Sequence, residues 1–237
     1  QCGSRGLGDV YKRQAQGFAT QMILTTDVYD EFNDGFDDAS ALKSFFDFAY
    51  NNWSSPKPSY VVLIGDASWN PKIFNSGFYG DEKSDFVPTR FFEAHEDNFE
   101  AASDSWFGQI EGNDVLPELL FGRLSARTVD HAEAQVNKII NYETDFQSGL
   151  WNRTATFCAD NGEGGVLAFE DSSDAFINDL VPKSFHVNRV YLEQLGTAGA
   201  RSATMSAFDE GTLMVNFYGH GSSKAWAAED FFCLLYT

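Results

Sequence analysis

Short apolar runs alternate with amphipathic, helix-forming segments along this chain, and the alternation constrains its fold more than any other feature. The clearest runs are 60–65 (YVVLIG) and 212–218 (TLMVNFY). Continuous apolar runs of this length are typical of parallel strands that helices cover on both faces. The sequence therefore predicts an α/β domain with three α/β/α layers and a mostly parallel sheet.

The remaining elements follow from periodicity and capping residues. Asp37 or Asp38 begins a helix, Thr128 begins a second, and two further helices are predicted at 172–180 and 200–208. A long acidic and aromatic loop is expected at 67–104. Further strands are predicted at 22–25, 118–121, 155–159 and 187–192.

The charge of the chain limits its partners. The formal net charge is −19, and phosphate binding needs basic patches, so nucleic acid and anionic membranes are not expected partners. The sequence contains no apolar run long enough to predict a membrane span. This composition suits a soluble protein in a salty or calcium-rich medium.

Both ends of the chain resemble translated sequencing adapter. Residues 1–14 (QCGSRGLGDVYKRQ) lack the apolar core of a signal peptide, and 233–237 read CLLYT. We expect 15–232 to be a partial domain and both ends to be foreign. Of the three cysteines, Cys2 and Cys233 then fall in the foreign ends, which leaves no disulfide framework. Cys158 stands in an apolar run and is expected to be a buried side chain.

Polar side chains follow three of the predicted strands. Asp66 follows 60–65, Asp160 and Glu163 follow 155–159, and His220 follows 212–218. In open α/β sheets, ligands bind beyond the carboxyl ends of the strands. These side chains are therefore the first candidates for a functional site.

His220 stands between two glycines in Tyr-Gly-His-Gly-Ser-Ser. A histidine at such a place is a candidate general base, and the N–H of Gly221 is a candidate oxyanion donor. A turn histidine bonded to a backbone carbonyl is the alternative. Ser222 and Ser223 lie close by, but the chain lacks the G-x-S-x-G elbow of serine hydrolases.

Carboxylates at the strand end and in the stretch 111–118 (EGNDVLPE) form a second candidate site. Asp66, Asp114 and Glu118 offer the oxygen ligands that calcium prefers. A solvated acidic loop without an ion is the alternative.

Three stretches together resemble the gingipain family of caspase-like cysteine peptidases. They are 60–66 (YVVLIGD), 108–125 (GQIEGNDVLPELLFGRLS) with the helix that ends in KIINYE, and 214–226 (MVNFYGHGSSKAW). The stretch 27–35 (DVYDEFNDG) is more similar to the branch that contains the type IX secretion surface peptidase.

The resemblance implies roles for the candidate residues. His220 matches the catalytic histidine, Gly221 the oxyanion donor, and Glu163 the acid that orients the histidine, with Asp160 as a rival for that role. The nucleophilic cysteine of the family is expected beyond residue 237, so the isolated chain is expected to be inactive.

The resemblance also implies an ion site and a substrate pocket. Asp66, Asp114 and Glu118 match calcium ligands, together with the carbonyls of Glu111 and Leu116. Asp174 falls near the acid that selects a basic P1 side chain. Trp226 is expected to line the S1 pocket, or else to be an ordinary, partly buried tryptophan.

The function implied is that of the amino-terminal part of a secreted cysteine endopeptidase, extracellular or at the cell surface, with the type IX secretion machinery as an expected partner. One alternative is a non-catalytic, calcium-binding surface module of the same fold. The other is a receiver-like phosphoryl-transfer domain that uses Asp66 with magnesium.

Overall fold

A computed structural model describes residues 7–72, 85–93, 100–162, 169–222 and 225–233. The chain divides into two compact units, Gln1–Asp145 and Phe146–Thr237. No helix in the described ranges is long and apolar enough to cross a membrane.

The first unit contains four α-helices and four strands in its described residues. Its helices are α1 (Leu7–Ala15), α2 (Thr25–Phe32), α3 (Ala39–Asn52) and α4 (Val129–Thr144). Its strands are β1 (Tyr60–Ile64), β2 (Arg90–Glu93), β3 (Glu100–Ser103) and β4 (Leu120–Leu124), and a short 3₁₀ turn covers Ser105–Gly108.

Strands β1 and β4 pair in parallel, and the helix α3 contributes Phe45, Phe46 and Tyr50 to the aromatic core beside them. Asp38 begins α3 as predicted, since its side chain accepts a hydrogen bond from the amide of Ser40 at 2.7 Å. The Phe46 ring then packs edge-to-face on Phe121 at 4.9 Å. Burial of this apolar face stabilises the unit far more than helix propensity does.

Three expectations for this unit need correction. The predicted strand at 22–25 is wrong, because Thr25 begins α2; a short apolar run cannot distinguish strand from helix. The loop at 67–104 contains the antiparallel hairpin β2–β3. The run at 60–65 is not buried on both faces, since Tyr60 and Val62 are 67% and 53% exposed.

The segment that we expected to be foreign is partly helical. Lys12 and Arg13 of α1 form ion pairs with Glu143 of α4 at 2.9 and 2.8 Å. Hydrogen bonds from Arg13 and Lys12 lower the pKa of Glu143 to about 2. The foreign origin of both ends of the chain stays a prediction.

The second unit is a parallel sheet between two helices. Its elements are β5 (Thr154–Ala159), α5 (Phe169–Leu180), β6 (His186–Tyr191), α6 (Leu192–Glu210) and β7 (Met214–Tyr218), followed by the hairpin β8 (Ala225–Trp226) and β9 (Phe232–Cys233). A 3₁₀ turn at Leu150–Arg153 precedes β5, and α6 is kinked at Gly196. These elements confirm the predicted order of strands and helices in this part of the chain.

The strand order β6-β5-β7 places the two helices on opposite faces of this sheet. The chain moves from β5 to β6 in one direction and returns past β5 to β7, and right-handed crossovers then require opposite faces. Packing agrees, because Ala155 and Phe157 contact Ile177 of α5, whereas Cys158 contacts Ala200 of α6. The three predicted layers are therefore present in this unit.

Candidate active site

The crossover that follows β5 and the crossover that enters β7 run in opposite directions, so the carboxyl ends of these two strands lie at the switch point of the sheet. Asp160 directly follows β5, and His220 follows β7 after a single glycine. The amide of Asp160 donates to the carbonyl oxygen of Tyr218 at 3.0 Å, which extends the ladder to the end of both strands. The fold thus brings two of the predicted site residues together.

One oxygen of Asp160 contacts both the backbone and the ring of His220. Oδ2 accepts a hydrogen bond from the His220 amide at 3.0 Å and lies 3.6 Å from Nδ1 of the imidazole. The other oxygen, Oδ1, accepts from the amide of Asn161 at 2.9 Å. The carboxylate is thereby fixed on both sides and faces the histidine.

The two partners differ strongly in exposure. The Asp160 side chain is 4% exposed, whereas that of His220 is 69% exposed. The Phe169 ring packs edge-to-face against the imidazole, with centroids 5.4 Å apart. A buried acid beside an accessible, oriented imidazole can support general acid–base chemistry. Phe169 was not predicted as a site residue, because no sequence pattern links it to Asp160 or His220.

Gly221 faces Trp226 across an isolated antiparallel bridge. The hydrogen bonds of this bridge come from the neighbouring residues, Ser222 to Ala225 and Ala227 to His220, both at 2.8 Å. Gly221 and Trp226 therefore form a non-hydrogen-bonded pair, whose own N–H groups point away from each other. Among the described residues, the Gly221 N–H has no acceptor, as an oxyanion donor requires.

Trp226 is also part of an aromatic cluster. Its indole stacks on Phe217, with centroids 4.8 Å apart and planes 3° apart, and packs on Phe232 at 4.8 Å. Phe231 completes the cluster. Core packing thus accounts for Trp226, and its role in an S1 pocket stays a prediction.

Asp174, on α5, is held in a network with β6. Its Oδ1 accepts hydrogen bonds from Nε of Arg189 and from the hydroxyl of Tyr191, each at 2.7 Å. The bond from Arg189 and then that from Tyr191 lower the pKa of Asp174. The carboxylate that we predicted to select a basic P1 side chain is thus already paired with an arginine of the same chain. Glu163, the other predicted acid, lies outside the described residues.

The predicted calcium ligands make other contacts in the first unit. Asp66 Oδ2 accepts from Nε of Arg127 at 2.8 Å, and Asp114 Oδ1 accepts from the amide of Leu116 at 2.9 Å. Glu118 Oε2 accepts from the amides of Ile110 and Glu111 at 2.7 and 3.0 Å.

The hydrogen bonds donated by the backbone amides of Glu111 and Ile110 lower the pKa of Glu118. In the described ranges no three carboxylate, histidine or cysteine side chains come together as a metal site. As placed, these residues do not form an ion cage. Calcium binding stays a prediction from the resemblance.

Neither cysteine that the structure describes is placed as a nucleophile. Cys158 is fully buried, and burial raises the pKa of its thiol to about 11 despite a bond to Thr204. Cys233 is buried in β9, where it pairs with Ala225. A reactive thiolate needs exposure and a lowered pKa, so Cys158 is structural, as expected.

The sheet order and the site together define an α/β domain of the caspase-like class, with a carboxylate-supported histidine at the switch point. Comparison with known proteins gives the family. The model of "Peptidase family C25" matches residues 9–235, and the chain therefore belongs to this family.

Known relatives agree with the family. Gingipain R2 and gingipain R1 of Porphyromonas gingivalis are each 30% identical to this chain over 224 residues, or 92% of its length. The chain spans 26% and 19% of the lengths of these two relatives.

The fold is also that of a solved peptidase. A structure titled "Crystal structure of the Arg specific cysteine proteinase gingipain R (RGPB)" matches with a TM-score of 0.62 and 21% identity. The match covers 86% of this chain and 42% of the other. It confirms the predicted α/β, caspase-like fold class.

Proposed function

We propose that this chain is the histidine-bearing part of a cysteine endopeptidase, and that Asp160 and His220 form its acid–base pair. The observation that carries the proposal is the buried carboxylate of Asp160, which lies 3.6 Å from Nδ1 and 3.0 Å from the backbone nitrogen of His220. Membership of the peptidase family supports the reaction class. The substrate class is then a protein or peptide.

Each residue has a chemical role in this mechanism. Nδ1 of His220 faces Asp160, which leaves Nε2 to exchange a proton with the thiol and with the leaving amine. The thiolate attacks the peptide carbonyl, and the carbonyl oxygen gains negative charge. The Gly221 N–H donates to this oxyanion; removal of one such donor typically costs about 10²–10³-fold in rate.

Glu163 stays a second candidate for the acid that orients the imidazole, from the resemblance alone. The contacts of Asp160 favour it, because its carboxylate already bonds the histidine backbone. Replacing each acid separately by its amide distinguishes them. If Glu163→Gln lowers kcat and Asp160→Asn does not, then Glu163 is the orienting acid.

We propose that this chain is part of a longer peptidase, which we call the parent protein. Expression of the complete gene for the parent protein tests the proposal. We expect the purified parent protein to cleave unstructured protein substrates, and alkylation of its thiols to abolish the cleavage. His220→Ala is expected to lower kcat by about 10²–10⁴-fold, the usual range for a general acid–base residue. His131→Ala, at an exposed position of α4, is the matched control and should leave kcat unchanged.

A parent protein that cleaves equally well with His220→Ala would overturn the proposal. A folded parent without any thiol-dependent cleavage would instead support the non-catalytic surface module. The receiver-like alternative requires an available Asp66, but this carboxylate pairs with Arg127. Phosphorylation of Asp66 by a small phosphodonor with magnesium would be the result that favours it.

Secretion through the type IX machinery, with an extracellular or cell-surface location, is part of the same proposal. It rests on the resemblance of 27–35 to the type IX secretion surface peptidase branch. Fractionation of the source organism with an antibody against this chain tests it. Recovery in the cytoplasm alone would contradict it.

A further inference from the structure

Gly219 separates the last residue of β7 from His220, and no side chain has room there. The backbone of Gly219 has φ +159°. A Cβ added at this position would overlap Cβ of Asp160 and would lie 3.0 Å from its Oδ2. Carbon atoms pack favourably only at about 3.5–4.0 Å, so a methyl group would push the two strand ends apart.

Asp160 cannot easily move away from such a methyl group. Its amide is bonded to Tyr218, its Oδ1 to the amide of Asn161, and its side chain is 4% exposed. The backbone at Gly219 would therefore have to move instead, and this movement would lengthen the 3.0 Å hydrogen bond from the His220 amide to Oδ2. The close approach of glycine backbone to carboxylate is what allows this bond.

From these contacts we infer that Gly219 is a positioning residue for the histidine. Its missing side chain lets β7 close on Asp160, and this contact sets the distance and direction of the imidazole from its acid. The inference rests on the proposed function for its catalytic meaning. The geometric effect itself is measurable in this chain without any activity.

Substitutions at two other glycines of this unit serve as controls. They distinguish the effect of steric overlap at Gly219 from the effects of backbone strain and of a nearby methyl group. Gly196 also has a positive φ, +64°, but no atom of the described residues lies within 4 Å of an added Cβ. In the part of the chain that the structure describes, an added Cβ at Gly221 meets only the carbonyl oxygen of Ala225, at 3.6 Å. Gly196→Ala thus controls for strain, and Gly221→Ala controls for a methyl group beside the histidine.

Hydrogen exchange and nitrogen NMR of the full chain test the inference. We expect Gly219→Ala to accelerate exchange of the His220 amide about 10–100-fold relative to the amides of β5, as loss of a hydrogen bond to a charged group predicts. The imidazole ¹⁵N shifts should also change. Gly196→Ala and Gly221→Ala should leave both readouts as in the wild-type chain.

A second variant covers the case in which Gly219→Ala unfolds the unit. Asp160→Gly removes the overlapping Cβ, so we expect Gly219→Ala to lower the melting temperature less in an Asp160→Gly chain than in the wild-type chain. An equal loss in both backgrounds, or wild-type exchange in a folded Gly219→Ala chain, overturns the inference. If Asp160→Ala also leaves the exchange unchanged, then the Asp160–His220 pair of the proposed function fails as well.

Discussion

The carboxylate of Asp160 receives one backbone N–H on each oxygen, from Asn161 and from His220. A neutral amide at this position would offer one acceptor and would present N–H groups to one of the two donors. Buried donors that lose their acceptor cost about 1–3 kcal/mol each. Asp160 therefore combines a structural role with its proposed role toward the imidazole.

We accordingly expect Asp160→Asn to lower the free energy of unfolding by about 1–3 kcal/mol. Urea denaturation of the purified chain, followed by tryptophan fluorescence, measures the change. Asp179→Asn, at an exposed position of α5, is the matched control and should change stability by less than about 0.5 kcal/mol. Equal effects of the two substitutions would contradict the structural role.

Among the elements, β4 is tied to its surroundings by Arg123. The guanidinium binds both oxygens of Asp104, at 2.7 and 2.8 Å, and donates to the carbonyls of Gly65 and Val87 at 2.8 and 2.7 Å. Its side chain is only 11% exposed. A planar, forked donor suits this set of acceptors, and a lysine ammonium cannot reproduce it.

Arg123→Lys is expected to lower the free energy of unfolding by about 2 kcal/mol, because bonds to a largely buried charge are lost. Arg127→Lys is the control, since the Arg127 side chain is 65% exposed and surface ion pairs contribute about 0–1 kcal/mol. Chemical denaturation of both variants decides the point. A cost for Arg127→Lys as large as that for Arg123→Lys would refute it.

The ion pair between Arg123 and Asp104 also makes the stability of the fold depend on pH. Burial alone would raise the pKa of Asp104, but the hydrogen bonds from Arg123 and Thr89 and the charge of Arg123 outweigh burial, so that the pKa is lowered. A carboxyl with a lowered folded-state pKa stabilises the fold above its unfolded pKa, about 4.

That stability is lost as the pH falls through the lowered folded-state value. We expect Asp104→Asn to reduce the slope of unfolding free energy against pH below about pH 4. Denaturation at a series of pH values measures it, with Asp130→Asn on the exposed start of α4 as control. An unchanged slope in Asp104→Asn would show that the pair does not contribute.

Glu118 fixes the backbone of the loop before β4. Glu118 bonds the amides of Ile110 and Glu111, and its own amide bonds the carbonyl of Gly108 at 2.8 Å. Both of these amides donate to Oε2 of Glu118. A calcium ion in this loop could therefore take the other oxygen, Oε1, without breaking these bonds.

Calcium binding remains testable through the melting temperature. If the predicted ligands bind calcium, then adding calcium should stabilise the first unit by about 2.7 kcal/mol at one hundred times the dissociation constant. Glu118→Gln should abolish the effect, and magnesium should not replace calcium. A melting temperature that calcium and a chelator leave unchanged would exclude the assignment.

At the scale of the whole molecule, the net charge of −19 opposes compaction. Salt shortens the range of charge repulsion from about 30 Å at 0.01 M to about 3 Å at 1 M. We expect the melting temperature to rise between these sodium chloride concentrations. Scans in excess chelator exclude a contribution from calcium, and a steady fall with salt would mean that attractive pairs dominate.

The sequence by itself determined the fold class and the placement of Asp160 and His220 at the carboxyl ends of two strands. Strand runs, caps and helix periods act over a few residues, and right-handed crossovers turn their order into a sheet with one switch point. Asp160 and His220 follow directly from this order, because each stands just beyond a strand. The strand prediction at 22–25 was wrong because a run of this length is too short to show a helix or strand period.

Only the tertiary structure decided which side chains meet. Arg189 reaches Asp174, Phe217 stacks on Trp226, and Phe169 packs on His220 because helix α5 and the β8–β9 hairpin pack against the sheet and its strand ends. The partner of each hydrogen-bonding group likewise depends on the tertiary structure. Arg127, for example, pairs with Asp66, and no local sequence pattern predicts this contact. Periodicity determines which face a residue occupies, and packing decides what it touches there.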